Sequence, residues 1–216
     1  MIKAIIFDMD GTLIDSEPFY QKILLKCMQE LGVPVCAEDL LPLAGANSRV
    51  FSEFIDSRIK GIISREEFDK TESDYFKNNP IDFTKLLFHH VHETLSCLKE
   101  QGYRLVLASS SKTHEIENVL NQCQLTDYFE FFLSGHMFKE SKPNPEIYLV
   151  CIQKLGLSAK ECIAVEDSEY GIAAAKNADL LCIAKKDTRF GADQSPADYA
   201  VDDLLEIIDI LKEIKR

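Results

Sequence analysis

The sequence has no apolar run longer than a β-strand, so none of its 216 residues lies in a segment predicted to cross a membrane as a helix. It also has no recognisable signal peptide, because Lys3 is followed by a short strand pattern that ends at Asp8. No internal repeat, low-complexity segment or long linker is visible. These absences favour a cytoplasmic protein that does not bind a membrane.

Positive charge is scarce. The 24 lysines and arginines face 36 aspartates and glutamates, which gives a net charge of -12. Such an excess of negative charge disfavours nucleic acids and anionic membranes as partners. A local positive site can still bind a small phosphorylated metabolite, which is the partner we expect. Composition does not indicate the oligomeric state, and a monomer is the default expectation.

A Cys-x-x-Cys pair is also absent, although the chain contains 7 cysteines. Their dispersion, odd number and apolar surroundings favour buried, reduced thiols. His89, His90 and His92 are close in sequence, but neighbouring positions of a helix point in different directions. We therefore interpret these histidines as the surface and flank of a helix, not as metal ligands.

Strand and helix patterns alternate over most of the chain. A first strand over residues 2–7 is followed, after residue 83, by further apolar strands separated by helical segments. This alternation predicts an α/β fold, Rossmann-like, with a mostly parallel sheet covered by helices on both faces. Residues 15–82 contain helical patterns and no convincing strand, which indicates a helical insertion. Within it, Asp15 or Ser16 can cap a first helix, and apolar spacing predicts another helix from about Ser48 to Ile59. After the insertion, a helix is predicted over residues 86–101.

Two aspartates follow the first strand directly. Asp8 and Asp10 are followed by Gly11, which lets the chain turn sharply. Ligands of open α/β sheets bind at the carboxyl ends of the strands, and paired carboxylates there suit a hard cation such as Mg²⁺. The ordinary alternative for an isolated Asp-x-Asp is a helix cap beside a solvated turn residue.

Three more polar groups stand out in the sequence, two of them at strand ends. Ser109 closes a strand over residues 103–108, Lys142 precedes Pro143, and Glu166-Asp167 follow a strand over residues 162–165. Each has an ordinary interpretation, as a helix cap or a solvated charge. Together with Asp8 and Asp10 they supply cation ligands, a hydroxyl and an ammonium, which is a set suited to holding a phosphoryl group.

The order of these groups resembles the haloacid dehalogenase superfamily, in the branch of β-phosphoglucomutase and small phosphosugar phosphatases. The matching motifs span the chain: Asp8-Met9-Asp10-Gly11-Thr12, Ser109, Lys142-Pro143-Asn144-Pro145, and Glu166-Asp167-Ser168-Glu169-Tyr170-Gly171. The resemblance implies a phosphoric monoester hydrolase that uses Mg²⁺, with a sugar phosphate as the expected substrate.

The resemblance also implies roles. Asp8 is the expected nucleophile, which forms an aspartyl phosphate, and Asp10 the expected general acid and base. Magnesium is expected at Asp8, Asp10 and Asp167, with Glu166 bound directly or through water. The expected phosphate-binding residues are Ser109, Ser110 and Lys142.

The helical insertion falls where this branch carries a cap domain. We therefore predict a core of residues 1–14 and 83–216 and a cap of residues 15–82. The cap residues expected to contact substrate are Tyr20, Gly45, Asn47 and Arg49. Arg49 has an equally good alternative as a solvated helix residue.

The sequence departs from the mutase pattern in the cap. Tyr20 and Ala44 stand where β-phosphoglucomutases carry a His and a Lys, and the cap loop is one residue longer. Hydrolysis is therefore favoured, and a phosphosugar mutase remains the alternative. A dehalogenase has no need of Asp10 or Glu166-Asp167, and a non-enzymatic binding module is expected to lose Asp8 or Lys142.

Overall fold

The computed structural model describes residues 1–46 and 48–214, without the side chain of Ser48. Its described part contains a 6-stranded sheet in the order β3-β2-β1-β4-β5-β6. All the strand pairs are parallel. The strands are β1 Ala4–Phe7, β2 Arg104–Ser109, β3 Phe132–Ser134, β4 Cys162–Glu166, β5 Leu181–Lys185 and β6 Tyr199–Val201.

Helices precede or follow most of the strands. They are α1 Glu17–Glu30, α2 Ala37–Leu40, α3 Ser48–Ile59, α4 Arg65–Asn78, α5 Val91–Glu100, α6 Thr113–Gln122, α7 Glu146–Leu155, α8 Glu169–Asn177 and α9 Ile207–Ile214. No helix of the described residues is long and apolar enough to reach across a bilayer.

The central strand β1 is buried on both faces. Ile5 and Phe7 pack into a core formed with α5, α6 and α9. Ala4 and Ile6 pack on the opposite face with α7 and α8. A strand with apolar side chains on both faces is typical of parallel sheets covered by helices, so the predicted fold class is confirmed.

The first four helices form a unit with its own apolar core. Leu24 and Met28 of α1 meet Ile55 of α3 and Phe68 of α4 in a cluster separate from the two cores of the sheet. Apolar residues three or four positions apart on α1 produce this buried stripe. Among the described residues between 17 and 82, no strand interrupts these helices.

The two segments that join this helical unit to the sheet pair with each other. Asp15 N–H donates to Leu86 O at 2.7 Å, and Phe88 N–H donates to Leu13 O at 3.0 Å. This pairing corrects the sequence-based helix over residues 86–101, because α5 begins only at Val91. His89 and His90 consequently lie in the turn before the helix, where His90 adopts a left-handed φ of 60°.

Candidate active site

The polar groups that follow the central strands meet at one edge of the sheet. β1 lies between β2 and β4, so Asp8, Ser109 and Glu166 emerge from neighbouring strands. Asp167 follows Glu166, and Lys142 reaches the same point from the segment before α7. All five side chains are buried. The parallel register therefore brings together residues that are up to about 160 positions apart.

Lys142 connects two of the carboxylates in this cluster. Its Nζ donates to Asp8 Oδ1 at 2.6 Å, to Glu166 Oε1 at 2.6 Å and to the carbonyl oxygen of Ala108 at 2.9 Å. Burial alone lowers the pKa of Lys142, but the charges of Asp8 and Glu166 outweigh it and hold the pKa above its ordinary value. Lys142 therefore stays an ammonium beside Asp8.

Glu166 is held from a second side by Tyr148. The Tyr148 hydroxyl donates to Glu166 Oε1 at 2.5 Å, and Lys142 Nζ lies 5.3 Å from the centre of the Tyr148 ring. The ring and the carboxylate thus fix the position of the ammonium. Tyr148 lies in the first turn of α7, shortly after the Lys-Pro-x-Pro motif ends at Pro145, and no pattern in the sequence pointed to it.

Three carboxylates stand close enough to share a cation. Ligand oxygens of Asp8, Glu166 and Asp167 all lie within 4.8 Å of one another. Burial raises the pKa of Asp8, where Lys142 opposes the shift. It also raises the pKa of Asp167, where the charges of Asp8 and Glu166 add to the shift. A single ammonium does not balance three buried carboxylates.

Asp167 is the carboxylate with the weakest compensation. Among the described residues, the one hydrogen-bond donor to its side chain is Thr12 Oγ1, at 3.4 Å. A buried carboxylate with one long hydrogen bond lacks a counter-charge. A divalent cation that prefers oxygen ligands fits this set of donors.

Glycines make room for two of these carboxylates. A β-carbon at Gly171 would stand 2.0 Å from Glu166 Oε2, and one at Gly11 would stand equally close to the Asp167 side chain. Gly11 also has a φ of +82°, which other residues rarely adopt. Any side chain at the glycines of the first and fourth motifs would therefore clash with a carboxylate of the site.

Asp10 is held by two serine hydroxyls. Ser16 Oγ donates to Asp10 Oδ1 at 2.7 Å, and Ser111 Oγ donates to Asp10 Oδ2 at 2.7 Å. Burial raises the pKa of Asp10, and both serine hydrogen bonds oppose the shift. The sequence offered Ser16 as a cap for α1, but its side chain makes no capping hydrogen bond and binds Asp10 instead.

The two predicted phosphate-binding serines differ in their contacts. Ser109 is buried. Its Oγ accepts a hydrogen bond from the Ser111 N–H at 3.0 Å and lies 3.5 Å from Asp10 Oδ2. Ser110 Oγ lies 3.4 Å from Ser141 Oγ, and Ser110 lines a cavity of about 710 Å³. Ser109 thus belongs to the cluster around Asp10, and Ser110 lies at its margin.

The helical unit reaches the site through a glycine. Gly45 N–H donates to Glu17 Oε1 at 2.8 Å. A β-carbon at Gly45 would stand 2.5 Å from the Ser168 β-carbon, so the loop lies against the residue after Asp167. The predicted substrate residue Gly45 is thus close to the carboxylate cluster.

The other predicted cap residues are distributed unevenly. Tyr20 lies close enough to Asp10 for that charge to act on its hydroxyl. Arg49 has a side chain 82% exposed, with Nε 3.7 Å from Glu53 Oε1, and lines the same cavity as Ser110. Asn47 lies outside the described residues.

Comparison with known proteins identifies the family. The model of haloacid dehalogenase-like hydrolases matches residues 5–185. The chain belongs to this family. The match includes all the motifs of the carboxylate cluster and the helical unit between them.

Relatives of this haloacid dehalogenase-like hydrolase include phosphatases. Hexitol phosphatase B of Escherichia coli (strain K12) is 35% identical over 198 residues, which are 88% of each chain. Phosphorylated carbohydrates phosphatase of Thermotoga maritima is 30% identical over 181 residues, 83% of this chain and 82% of that protein. The predicted family and the predicted class of enzyme are thereby confirmed.

A solved structure shares the fold of this hydrolase. CbbY from Rhodobacter sphaeroides, crystallised with xylulose-(1,5)bisphosphate, superimposes with a TM-score of 0.77 at 26% identity, covering 95% of this chain and 96% of that one.

Sequence reasoning missed three residues of the hydrolase site, Ser16, Ser111 and Tyr148. Ser111 had a usable signal, since it closes a run of three serines after β2. Ser16 and Tyr148 had none, because their hydroxyls meet partners that only the folded chain brings close.

Proposed function

We propose that the protein is a magnesium-dependent phosphatase that hydrolyses a sugar phosphate through an aspartyl-phosphate intermediate. The observation that carries this proposal is the contact of Lys142 with Asp8 and Glu166, beside the poorly compensated Asp167. This arrangement combines a nucleophile, a cation for phosphoryl oxygens and a set of ligands for a divalent cation. The names of the phosphatase relatives support the same reaction.

Asp8 is the proposed nucleophile. Its Oδ1 is held by Lys142 at 2.6 Å, which fixes the carboxylate at the tip of β1. A carboxylate oxygen of Asp8 attacks phosphorus, the bond to the leaving alkoxide breaks, and an aspartyl phosphate forms. Lys142 then lies beside the transferred group, where an ammonium stabilises the phosphoryl oxygens.

Asp10 is the proposed proton carrier. It donates its proton to the leaving alkoxide in the first step and removes a proton from the attacking water in the second. The hydrogen bonds from Ser16 and Ser111 hold both of its oxygens, so its direction is fixed before substrate binds. The predicted roles of Asp8 and Asp10 are thus supported by different partners.

Magnesium is held, in this proposal, by Asp8, Asp167 and the main chain of Asp10, with Glu166 beside them. When bound, it neutralises the repulsion between these carboxylates and the phosphate dianion. The oxygen-only donor set and the excess of negative charge support this cation. Because Oε1 of Glu166 already accepts from Lys142 and Tyr148, we assign it chiefly to positioning Lys142.

We further propose that residues 15–82 form a cap that closes over the site. The separate apolar core of α1–α4 and the paired connections near Asp15 and Leu86 support a hinge there. Closure brings the Gly45 loop against Ser168 and excludes bulk water from the reacting phosphate.

Hydrolysis is favoured over a mutase reaction because of Tyr20. A mutase needs cap groups that protect and reorient a phosphorylated intermediate, and the resembling enzymes use a basic residue at this position. Tyr20 supplies a neutral hydroxyl next to Asp10 instead.

The test of the proposal uses a generic aryl phosphate with the purified protein. We expect turnover that depends on Mg²⁺ and stops when EDTA chelates the cation. Asp8→Asn should abolish turnover, and a cooperative thermal transition of this variant should show that it is still folded. Turnover without a divalent cation, or an active Asp8→Asn protein, would refute the mechanism.

A second assay separates the two reactions. β-Glucose 1-phosphate is mixed with a trace of glucose 1,6-bisphosphate, and the products are followed. Release of inorganic phosphate supports the phosphatase, whereas accumulation of glucose 6-phosphate without phosphate release would replace it by the mutase.

A further inference from the structure

Two polar side chains of the helical unit lie on neighbouring helices near Asp10. Tyr20 is on α1, and its ring packs against Phe76 of α4 with centroids 6.2 Å apart. Glu72 lies four positions before Phe76, so it shares the face of α4 that is turned toward α1. Tyr20 and Glu72 are both partly buried.

The surroundings of Glu72 place it between the helical unit and the core. Burial is the main cause of its raised pKa, and the charge of Asp69 adds to it. Lys112 and Glu115, at the start of α6, also act on Glu72. On its other side Glu72 is close enough to raise the pKa of the Cys27 thiol in α1. Since α6 begins at Thr113, just after Ser111 and Lys112, Glu72 lies near the part of the core that holds Asp10.

In the described part of the chain, neither polar group has a hydrogen-bond partner. Within residues 1–46 and 48–214, no donor reaches the Glu72 carboxylate and the Tyr20 hydroxyl makes no hydrogen bond. The acid three residues earlier on α4, Asp69, is by contrast paired with Arg65 at 2.7 Å. Because Glu72 is only partly buried, water can reach its carboxylate, and both groups are free to exchange that water for the hydroxyls of a ligand.

We propose that Glu72 and Tyr20 receive the leaving group and select a neutral, polyhydroxylated alcohol over one that carries a carboxylate or a second phosphate. This inference rests on the proposed phosphatase function and names the class of its substrate. It assigns Glu72 a specificity role that the motifs of the family did not suggest.

The chemistry of the two groups supports this selection. A carboxylate accepts hydrogen bonds from two hydroxyls and repels an anion. Burial and the charges of Asp10, Glu115 and Glu17 raise the pKa of Tyr20, so its hydroxyl keeps the proton and can donate as well as accept. The same acidic residues oppose any anionic leaving group, and Lys112 is the single cation acting on Glu72 from the core.

The test compares three substrates in the presence of Mg²⁺. Glucitol 6-phosphate offers hydroxyls, phosphoglycolate offers a carboxylate, and p-nitrophenyl phosphate offers neither. Glu72→Gln removes the charge at constant shape, and Tyr20→Phe removes the hydroxyl. Glu66→Gln, an exposed position of α4, is the matched control.

For Glu72→Gln we expect kcat/KM to fall about 10-fold with glucitol 6-phosphate, the effect of losing a charge-assisted hydrogen bond, and to rise with phosphoglycolate. Turnover of p-nitrophenyl phosphate should change less than about 2-fold. Tyr20→Phe should lower kcat/KM for glucitol 6-phosphate alone. The melting temperature of Glu72→Gln should not fall, since the carboxylate has no partner to lose.

Equal changes with all three substrates, or no change with any, would overturn the inference. A fall in melting temperature together with a uniform loss of activity would also overturn it, because it would indicate a structural role. Failure of the phosphatase proposal is distinguishable, since the wild-type protein would then not hydrolyse p-nitrophenyl phosphate at all.

Discussion

Gly11 lies so close to Asp167 that a β-carbon at Gly11 would stand 2.0 Å from Asp167 Oδ2. The first motif of the chain and the last one therefore constrain each other directly. Asp167, the carboxylate that most lacks a counter-charge, can occupy its position only because Gly11, more than 150 residues earlier, has no side chain.

We expect Gly11→Ala to lower both stability and magnesium-dependent activity, because Asp167 must move to admit the methyl group. Gly61→Ala is the control, since Gly61 has a φ of +80° and no atom within 4 Å of its β-carbon position. Gly61→Ala should therefore cost only the strain of an alanine at positive φ, about 1–2 kcal/mol of stability, without a steric clash. Thermal unfolding and phosphatase assays of both variants give the comparison. An active Gly11→Ala protein would show that Asp167 can act from another position.

Lys142→Ala should destabilise the metal-free protein by about 3–5 kcal/mol, because Asp8 and Glu166 are left buried without their cation. Saturating Mg²⁺ should restore more stability to this variant than to the wild type, while activity stays low. The control is Lys186→Ala, which breaks an exposed pair with Asp202 and should cost less than about 1 kcal/mol. Denaturant unfolding with and without Mg²⁺ measures these differences. Equal costs for the two lysines would argue against the buried network.

Ser16→Ala and Ser111→Ala should each reduce kcat because Asp10 loses a hydrogen bond that directs its carboxylate. A poor alkoxide leaving group needs a proton from Asp10, whereas a nitrophenolate does not. The loss should therefore be larger for an alkyl phosphate, about 10-fold or more, than for p-nitrophenyl phosphate. Ser57→Ala, an exposed position of α3, serves as the control. The same loss with both substrates would contradict a role in proton transfer.

Glu17 should make stability depend on pH. Burial raises the pKa of Glu17 to about 7, although the Gly45 N–H opposes the shift. The folded protein thus binds this proton more tightly than the unfolded chain, and the contribution of Glu17 to stability declines as pH rises from about 4.5 to 7.

We therefore expect Glu17→Gln to become progressively more stable than the wild type between pH 5 and about pH 7, by at most about 1.4 kcal/mol per pH unit. Denaturant titrations in EDTA at several pH values measure this trend. Glu30→Gln, an exposed position at the other end of α1, controls for the loss of one charge. A constant difference between Glu17→Gln and wild type would contradict the raised pKa.

Local sequence patterns predicted many elements well. The helix over residues 48–59 has the predicted bounds, because its apolar spacing and its ends are local features. The predicted start of α5 was wrong by five residues, since residues 86–88 pair with the segment before α1. The three-residue strand β6 was missed because its length leaves no period to detect.

By itself, the sequence determined the α/β fold, the family, the carboxylates and serine at the strand ends, and the lysine before Pro143, because strand ends and motif spacing are local features of the residue order. Only the tertiary structure decided which hydrogen-bond partner each group has. Ser16 and Ser111 donate to Asp10, Tyr148 donates to Glu166, and Glu72 accepts from no donor among the described residues. The reason is physical. A hydrogen bond depends on distances of about 3 Å, and the packing of elements far apart in the chain sets those distances.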